Sequence, residues 1–351
     1  MKTGERLDYI DAVKGFAIVL VVMGHALARI FSDWRVIHGS SPSPSLLFLL
    51  IYSFHMPLFM FVSGFLFARK RIAGWRVYVQ TVARRVVSLG LPFLFMGLLP
   101  MLWLGHPKFG SFWYLLTLLQ GIVVLGLVFT VSDKVRKDGD PVFEALVVFI
   151  LWILVRRFGG AVHSRLLLYL PEMVVRDLID ISHFRWVFLP FAAGAMVARW
   201  DCLDRIMTRP AFAVSLIGFP AAFLWGTATL PFAADACWFA IVGSVFLFKN
   251  VLTSGGIVRM LRLFGRRSLP IYLFHVLFTI MLNFKIGAIG DWFSAFVGTY
   301  GWPGALASVP MQFALSLAVS IPVCFLCVWI GWLVERVPVL NLLVLGRSGK
   351  R

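Results

Sequence analysis

The sequence predicts an all-α fold: a polytopic membrane helix bundle with about ten transmembrane helices. The chain of 351 residues is 60% hydrophobic and only 14% charged, and its mean hydropathy is +0.89. Soluble domains are usually about half apolar and roughly a quarter charged. No soluble domain of useful size fits between the apolar runs. We therefore expect a single integral-membrane domain over residues 1–351.

The predicted spans follow the apolar runs in chain order. The first run is too long for a signal-peptide core and has no small-residue cleavage pattern after it, so we expect it to stay in the mature chain. The fifth is short, and the region after it, 157–183, is compatible with a re-entrant or interfacial helix. The spans are predicted at residues 10–30, 45–67, 87–105, 111–131, 142–157, 184–200, 211–229, 233–251, 268–289 and 312–334.

The net charge of +17 has a topological explanation. In a soluble protein it would indicate nucleic-acid binding, but membrane proteins keep Lys and Arg in cytoplasmic loops. With the N-terminus placed in the cytoplasm, roughly two thirds of the 33 Lys and Arg residues fall on that side. The sequence thus predicts that both termini are cytoplasmic and that nucleic acid is not a partner. Some of these side chains could also bind an anionic substrate.

The cysteines do not indicate a metal or redox site. Cys324 and Cys327 form a C-x-x-C pattern, but it lies inside the last apolar run with no His or second pair nearby. We expect packing residues there and no bound metal.

Lys14 and His25 are the most informative pair in the sequence. They are eleven residues apart in one apolar run, a separation that turns a helix about three times and advances it about 16 Å. Both side chains therefore project from one stripe, with Lys14 near a membrane face and His25 near the middle of the bilayer. Ionisable groups at that depth usually line a polar cavity or catalytic path. Asp11 precedes Lys14 by three residues and can pair with it.

Two further histidines lie in predicted spans. His55 stands in Ser53-Phe54-His55-Met56-Pro57; it either lines a polar chamber with His25 or bonds to backbone freed by Pro57. His275 lies about two turns into the ninth span; it either faces the same chamber or bonds to a neighbouring helix. Gly24, next to His25, would admit a substrate or another helix.

Together these residues resemble the acyltransferase-3 family of integral-membrane acyltransferases. The matching motifs are Asp11-x-x-Lys14-Gly15 with His25 eleven residues after Lys14, Phe54-His55-Met56-Pro57-Leu58 with Ser63-Gly64-Phe65, Phe112-Trp113-Tyr114-Leu115, and Gly265-Arg266-Arg267-Ser268-Leu269 with Tyr272-Leu273-x-His275. Family members usually have Arg at the position of Lys14, and Lys there is similar to the subgroup of fucose 4-O-acetylases. The charge is kept, but a bidentate contact is lost. The family's R-x-x-R pair is incomplete here, because Ser88 follows Arg85 in the second slot.

The resemblance implies transfer of an acetyl or other short acyl group from cytoplasmic acetyl-CoA or a similar acyl-CoA to a hydroxyl of a sugar or surface glycan. It also implies a multi-pass location in the bacterial inner membrane. The expected catalytic residues are His25 as general base with Lys14, Asp11 and His55; the acyl-CoA-binding residues are Arg69, Lys70, Arg71, Arg84, Arg85, Arg266 and Arg267; and the acceptor-binding residues are Trp113, Tyr114, Tyr272 and His275.

The sequence is also compatible with other functions. Intramembrane His and Lys also mark proton-coupled transporters of small solutes, although no inverted halves are visible in the sequence. A lipid or peptide could replace the sugar as acceptor. The sequence leaves the oligomeric state open, a homo-oligomer included.

Overall fold

The computed structural model describes residues 7–30, 46–72, 74–136, 139–229, 234–282 and 309–347, and within these ranges all regular structure is helical. Eight helices in the described part are long and apolar enough to cross a membrane. Two shorter apolar helices, Cys237–Val251 and Ser268–Phe278, lie within the remaining two predicted spans, of which residues 233 and 283–289 lie outside the described part of the chain. The predicted polytopic helical bundle is therefore confirmed, while the cytoplasmic placement of the termini stays a prediction.

The α-helices are numbered in chain order. Short π-helical segments lie at Val86–Gly90, Val174–Ile179 and Leu247–Val251, and 3₁₀ turns at Phe109–Phe112 and Ala234–Ala236. The α-helices are α1 (Asp8–Ile30), α2 (Leu46–Ala68), α3 (Trp75–Arg85), α4 (Leu91–Leu98), α5 (Met101–Leu104), α6 (Trp113–Val135), α7 (Pro141–Leu166), α8 (Ile181–Arg199), α9 (Leu203–Ile206), α10 (Arg209–Thr229), α11 (Cys237–Phe246), α12 (Gly256–Arg266), α13 (Ser268–Leu282), α14 (Val309–Glu335) and α15 (Pro338–Leu345).

Three spans extend well beyond the apolar runs. The sixth begins at Val174 rather than at residue 184. The third begins at Trp75 rather than at residue 87, because the basic segment before it forms α3. The fifth runs from Pro141 to Leu166 and continues through Arg156 and Arg157. Arg is a good helix former, and its long side chain lets the charged head reach water or lipid head groups. Charge interrupts an apolar run in the sequence without ending the helix.

The described residues form two compact units. The helices α2 and α14 each have residues in both units. The α1 unit contains residues 7–59 and 207–332, with α1 and α10–α13. The α8 unit contains residues 60–206 and 333–347, with α3–α9 and α15. The α1 helix is central in its unit, because 72% of its most apolar stretch is buried. In the other unit, only 11% of the most apolar stretch of α7 is buried. The α7 helix therefore leaves most of its apolar surface exposed.

Glycine contacts bring helices of the α8 unit together. A Cβ at Gly64 of α2 would overlap the carbonyl oxygen of Phe191, and a Cβ at Gly194 of α8 would overlap that of Phe61. Small residues that let backbones touch are typical of packed membrane helices. The Ser63-Gly64 motif thus serves the α2–α8 contact.

Candidate active site

The start of α1 carries two carboxylates that pair with α12. Asp8 Oδ2 lies 3.1 Å from Arg262 Nη1, and Asp8 Oδ1 lies 3.4 Å from Arg266 Nη2. Arg266 Nε also donates to Asp11 Oδ2 at 3.3 Å. Exposed ion pairs of this kind contribute roughly 0–1 kcal/mol each, so their main effect is to position Arg266. Arg266, an expected acyl-CoA ligand, is therefore held against Asp11 at the beginning of α1.

Lys14 and His25 are partly exposed at the two ends of a buried stretch of α1, as are Phe16 and Ala26. Residues 17–24 between them are buried. The helix is continuous through both residues, so His25 lies about 16 Å further along α1 than Lys14. The stripe predicted from the spacing is present.

The α13 helix places His275 against His25. The two imidazole centroids are 5.2 Å apart, with the ring planes inclined by 52°. The Tyr272 ring lies 6.0 Å from that of His275, one turn earlier on the same helix. Three of the residues expected to act in catalysis or acceptor binding are thus assembled in the α1 unit. His275 itself is 2% exposed, so His25 is the accessible member of the histidine pair.

His55 adjoins the same region through Tyr52. The Tyr52 ring meets His55 edge-on at 4.8 Å and also covers Gly24, where a Cβ would lie 2.9 Å from Tyr52 Cε2. The missing side chain at Gly24 therefore makes room for an aromatic ring of α2. His55 does bond to its own backbone, but its partner is the carbonyl of Ile51 and not the one that Pro57 frees.

The backbone contacts fix the tautomers of two histidines. Nδ1 of His55 donates to the Ile51 oxygen at 2.7 Å, and Nδ1 of His275 donates to the Ile271 oxygen at 2.8 Å. A carbonyl oxygen can only accept, so Nδ1 carries the proton of each neutral ring. Nε2 then holds the lone pair, the form in which an imidazole accepts a proton or hydrogen bond.

The other expected acceptor-binding residues, Trp113 and Tyr114, lie in the α8 unit. Tyr114 is buried, and its hydroxyl shares a 2.7 Å hydrogen bond with Ser63 Oγ. Trp113 stacks on His183 with ring centroids 4.2 Å apart. His183 Nδ1 in turn lies 2.8 Å from Asp180 Oδ1.

The sequence reasoning missed the Asp180–His183 pair. Asp180 caps α8 with a φ of 47°, an uncommon left-handed conformation for a non-glycine residue. The Asp-x-x-His spacing at the start of a predicted helix was the available signal, because an N-cap carboxylate reaches the residue three positions later.

The expected acyl-CoA ligands are distributed over both units. Arg69 is partly exposed, whereas Lys70, Arg71, Arg84 and Arg85 are exposed in and around α3 of the α8 unit. Arg71 also lies 3.5 Å from Asp133. Arg267 is partly exposed at the end of α12 in the α1 unit.

The buried thiols of Cys324 and Cys327 are free cysteines within α14. In the described part of the chain no group of three His, Cys, Asp or Glu residues could hold a metal ion.

Buried His55 and His275 and a partly exposed His25 in membrane-spanning apolar helices define the class of the protein: a polytopic membrane protein with ionisable groups inside its helix bundle. The family model described as "Acyltransferase domain", that of the acyltransferase-3 family, matches residues 7–329, and the chain belongs to this family. It is a membrane acyltransferase.

Two curated relatives share part of the sequence. The nodulation protein NolL of Sinorhizobium fredii is 40% identical over 85 residues, which is 24% of this chain and 22% of that protein. NolL of Mesorhizobium japonicum is 38% identical over 85 residues, 24% of this chain and 21% of that protein. The matches thus span about a fifth of the relatives' length. No solved structure matches the chain.

Proposed function

We propose that this acyltransferase moves an acetyl or other short acyl group from cytoplasmic acyl-CoA to a hydroxyl of a sugar or surface glycan, with His25 as general base. The contact between the His25 and His275 rings inside the α1 unit carries the proposal. Imidazole is the side chain whose proton exchange is best matched to neutral pH. Membership of an acyltransferase family supplies the reaction class.

The proposed reaction is a single acyl transfer. His25 takes the proton of the acceptor hydroxyl while the hydroxyl oxygen attacks the carbonyl carbon of the thioester. The new ester C–O bond forms, the C–S bond breaks, and the CoA thiolate leaves. The proton on His25 then neutralises the thiolate, so His25 returns to its starting state. A partly exposed His25 satisfies the requirement that the base be reachable.

The neighbouring histidines have supporting roles in this proposal. His275 is buried, tied to its own helix and in contact with His25, so it serves as a positioning residue for the base. His55 holds the acceptor or the thioester oxygen, next to the Tyr52 ring. Rigid neighbours of His25 favour catalysis, because the base must stay within hydrogen-bonding reach of the reacting hydroxyl.

The acyl-CoA donor is expected to bind through the basic residues. Lys14 on α1 orients the donor, and Asp11, three residues earlier on the same helix, pairs with Arg266. Guanidinium groups suit the phosphates of CoA because they form charge-assisted hydrogen bonds. Arg84 and Arg85 are exposed in the α8 unit and stay predicted donor ligands on the basis of the sequence. The positive-inside bias and the bacterial relatives support a location in the bacterial inner membrane.

The test is acyl transfer from radiolabelled acetyl-CoA in membrane vesicles that contain equal amounts of each variant. We expect His25→Ala to lower the turnover by about 100-fold or more, the usual worth of a general base. His106→Ala is the matched control, because His106 is an exposed histidine of the connection after α5 and should keep full activity. Turnover by His25→Ala within twofold of the wild type would remove His25 from the chemistry.

The acceptor class is resolved in the same assay. Separate reactions contain sugars, lipid-linked sugars, simple lipids or peptides as acceptors, and the labelled product is identified by mass spectrometry. We expect an O-acetylated sugar. A labelled lipid or peptide with no labelled sugar would contradict the proposed acceptor while leaving the acyltransferase class intact.

A further inference from the structure

An open cavity of about 650 Å³ lies between α7 and α8 in the α8 unit. Its lining includes Trp152, Arg156 and Arg157 of α7 and Ser182, Arg185 and Trp186 of α8. None of the expected donor-binding or acceptor-binding residues lines it. The combination of three guanidinium groups and two indole rings requires a separate explanation.

Arg185 is built into this cavity rather than lying loose on the surface. Two consecutive glycines of α7 make room for it: a Cβ at Gly159 would lie 2.7 Å from Arg185 Cδ, and a Cβ at Gly160 would lie 3.2 Å from Arg185 Nη1. Its Nη2 donates to the carbonyl oxygen of Arg156 at 2.8 Å. The Arg185 side chain is thereby fixed beside the Arg156 backbone.

The cavity carries positive charge that the described residues do not balance. No acidic side chain lines it, and in the described ranges Arg156, Arg157 and Arg185 form no ion pair with a carboxylate. The Arg156 guanidinium lies 5.8 Å from the centre of the Trp152 ring, which favours the cation but does not neutralise it. Three guanidinium groups gathered around one space repel each other and attract an anion.

The position along α7 places these arginines near one edge of the hydrocarbon core, within the reach of a long side chain from the lipid phosphates, if α7 enters the membrane at Pro141. Arg156 follows Pro141 by fifteen residues, which is about 22 Å of helix, and the hydrocarbon core is about 30 Å thick. The α7 surface around them is apolar and exposed, as expected for a helix that faces lipid, with Phe149 51% and Phe158 56% exposed. A guanidinium in that setting extends to the head-group phosphates. Tryptophan also favours the membrane interface.

From this geometry we propose that the α7–α8 cavity binds the phosphate group of a membrane lipid, with Arg156, Arg157 and Arg185 as its ligands. The phosphate belongs either to a bulk anionic phospholipid or to a lipid phosphate that carries a sugar. Both sources share a phosphate ester at the membrane interface, and the indole rings of Trp152 and Trp186 suit either the glycerol region or a sugar ring. The proposal does not depend on the proposed transfer reaction.

Binding is measured with the purified full chain in a neutral detergent. The probes are short-chain phosphatidylglycerol, a short polyprenyl phosphate, short-chain phosphatidylcholine and inorganic phosphate, each titrated by calorimetry. We expect at least one of the two anionic lipids to bind about tenfold or more tightly than phosphatidylcholine and inorganic phosphate. A preference for phosphatidylglycerol indicates bulk lipid, and a preference for the polyprenyl phosphate indicates a sugar carrier.

The Arg156→Gln/Arg157→Gln double variant should weaken binding of the preferred lipid by about tenfold or more, because each lost charge-assisted hydrogen bond is worth roughly that factor. Both side chains are exposed, so the variant is expected to keep the wild-type unfolding midpoint. Arg165→Gln, an exposed arginine of the same helix outside the cavity, should bind as the wild type does. Equal lipid affinity in the double variant and Arg165→Gln would overturn the proposal, as would an absence of lipid binding to the wild type.

Discussion

Gly15 of α1 rests directly on the backbone of Leu261 in α12: a Cβ at Gly15 would overlap the Leu261 carbonyl oxygen. The contact is reciprocal one turn along, where a Cβ at Gly265 would overlap the carbonyl oxygen of Asp11 and approach the Gly15 nitrogen to 3.0 Å. Two motifs about 250 residues apart in the sequence are thus the two sides of one helix crossing. The crossing holds Asp11 next to Arg266.

Gly265→Ala is therefore expected to force α1 and α12 apart. Backbone atoms cannot move aside as a flexible side chain does, so overpacking of this kind typically costs 1–3 kcal/mol, roughly. The measurement is the thermal unfolding midpoint of the purified protein in detergent, which should fall. Gly256→Ala is the control on the same helix, since nothing lies within 4 Å of a Cβ at Gly256. Identical midpoints for the two variants would show that the crossing tolerates a methyl group.

The sequence predicted the helices well because apolar length alone determines a membrane span. It also predicted that Lys14 and His25 share a stripe, since helix periodicity relates residues in one element. It left open whether His275 lies near His25 and did not predict that Arg266 meets Asp11, because such contacts depend on which helices pack together. Periodicity within one helix carries no information on its neighbours.

Charges within spans were the main source of error in the boundaries. Arg156 and Arg157 ended the predicted fifth span, yet α7 continues past them to Leu166. A hydropathy pattern treats an arginine as a boundary, whereas the helix accommodates it because the backbone bonds are local and the guanidinium reaches the lipid head groups. The sequence also did not predict the role of Gly159 and Gly160, because these glycines make room for Arg185, which belongs to another helix.

Glu144→Gln tests the buried ion-pair network of the α8 unit. Glu144 is fully buried, with Arg199 Nη2 2.7 Å from its Oε1 and the Trp200 indole nitrogen donating to Oε2 at 3.0 Å. Removing this carboxylate leaves the buried Arg199 with Asp133 as its one ionic partner among the described residues. Breaking such a buried pair costs roughly 3–5 kcal/mol. We expect a marked fall in the unfolding midpoint and in the yield of folded protein.

Glu172→Gln is the matched control for that variant. Glu172 pairs with Arg176 at 3.0 Å, but both side chains are more than 60% exposed. Exposed pairs contribute about 0–1 kcal/mol, so its midpoint should stay near that of the wild type. If Glu144→Gln behaves like Glu172→Gln, the buried network does not stabilise the fold.

Substitutions of Lys14 distinguish the effect of its charge from that of its hydrogen-bond geometry in donor binding. Lys14→Arg keeps the positive charge that most family members place there and should retain substantial acyl-transfer activity. Lys14→Ala removes the charge and should raise the KM for acetyl-CoA by about tenfold or more, the worth of one charge-assisted hydrogen bond. Lys134→Ala, an exposed lysine at the end of α6, serves as control. Unchanged kinetics in Lys14→Ala would exclude Lys14 from the donor site.

His275→Phe tests whether the buried ring positions His25. Phenylalanine keeps an aromatic ring in contact with His25 but loses the Nδ1 bond to Ile271 that fixes the ring. A base displaced by about 1 Å can lose up to about 100-fold in rate, so kcat should fall while the KM for acetyl-CoA stays within twofold. The kinetics are compared in vesicles with equal amounts of inserted protein. A rise in the KM for acetyl-CoA at unchanged kcat would instead place His275 in donor binding. Wild-type values of kcat and KM would show that the His25–His275 contact has no part in the reaction.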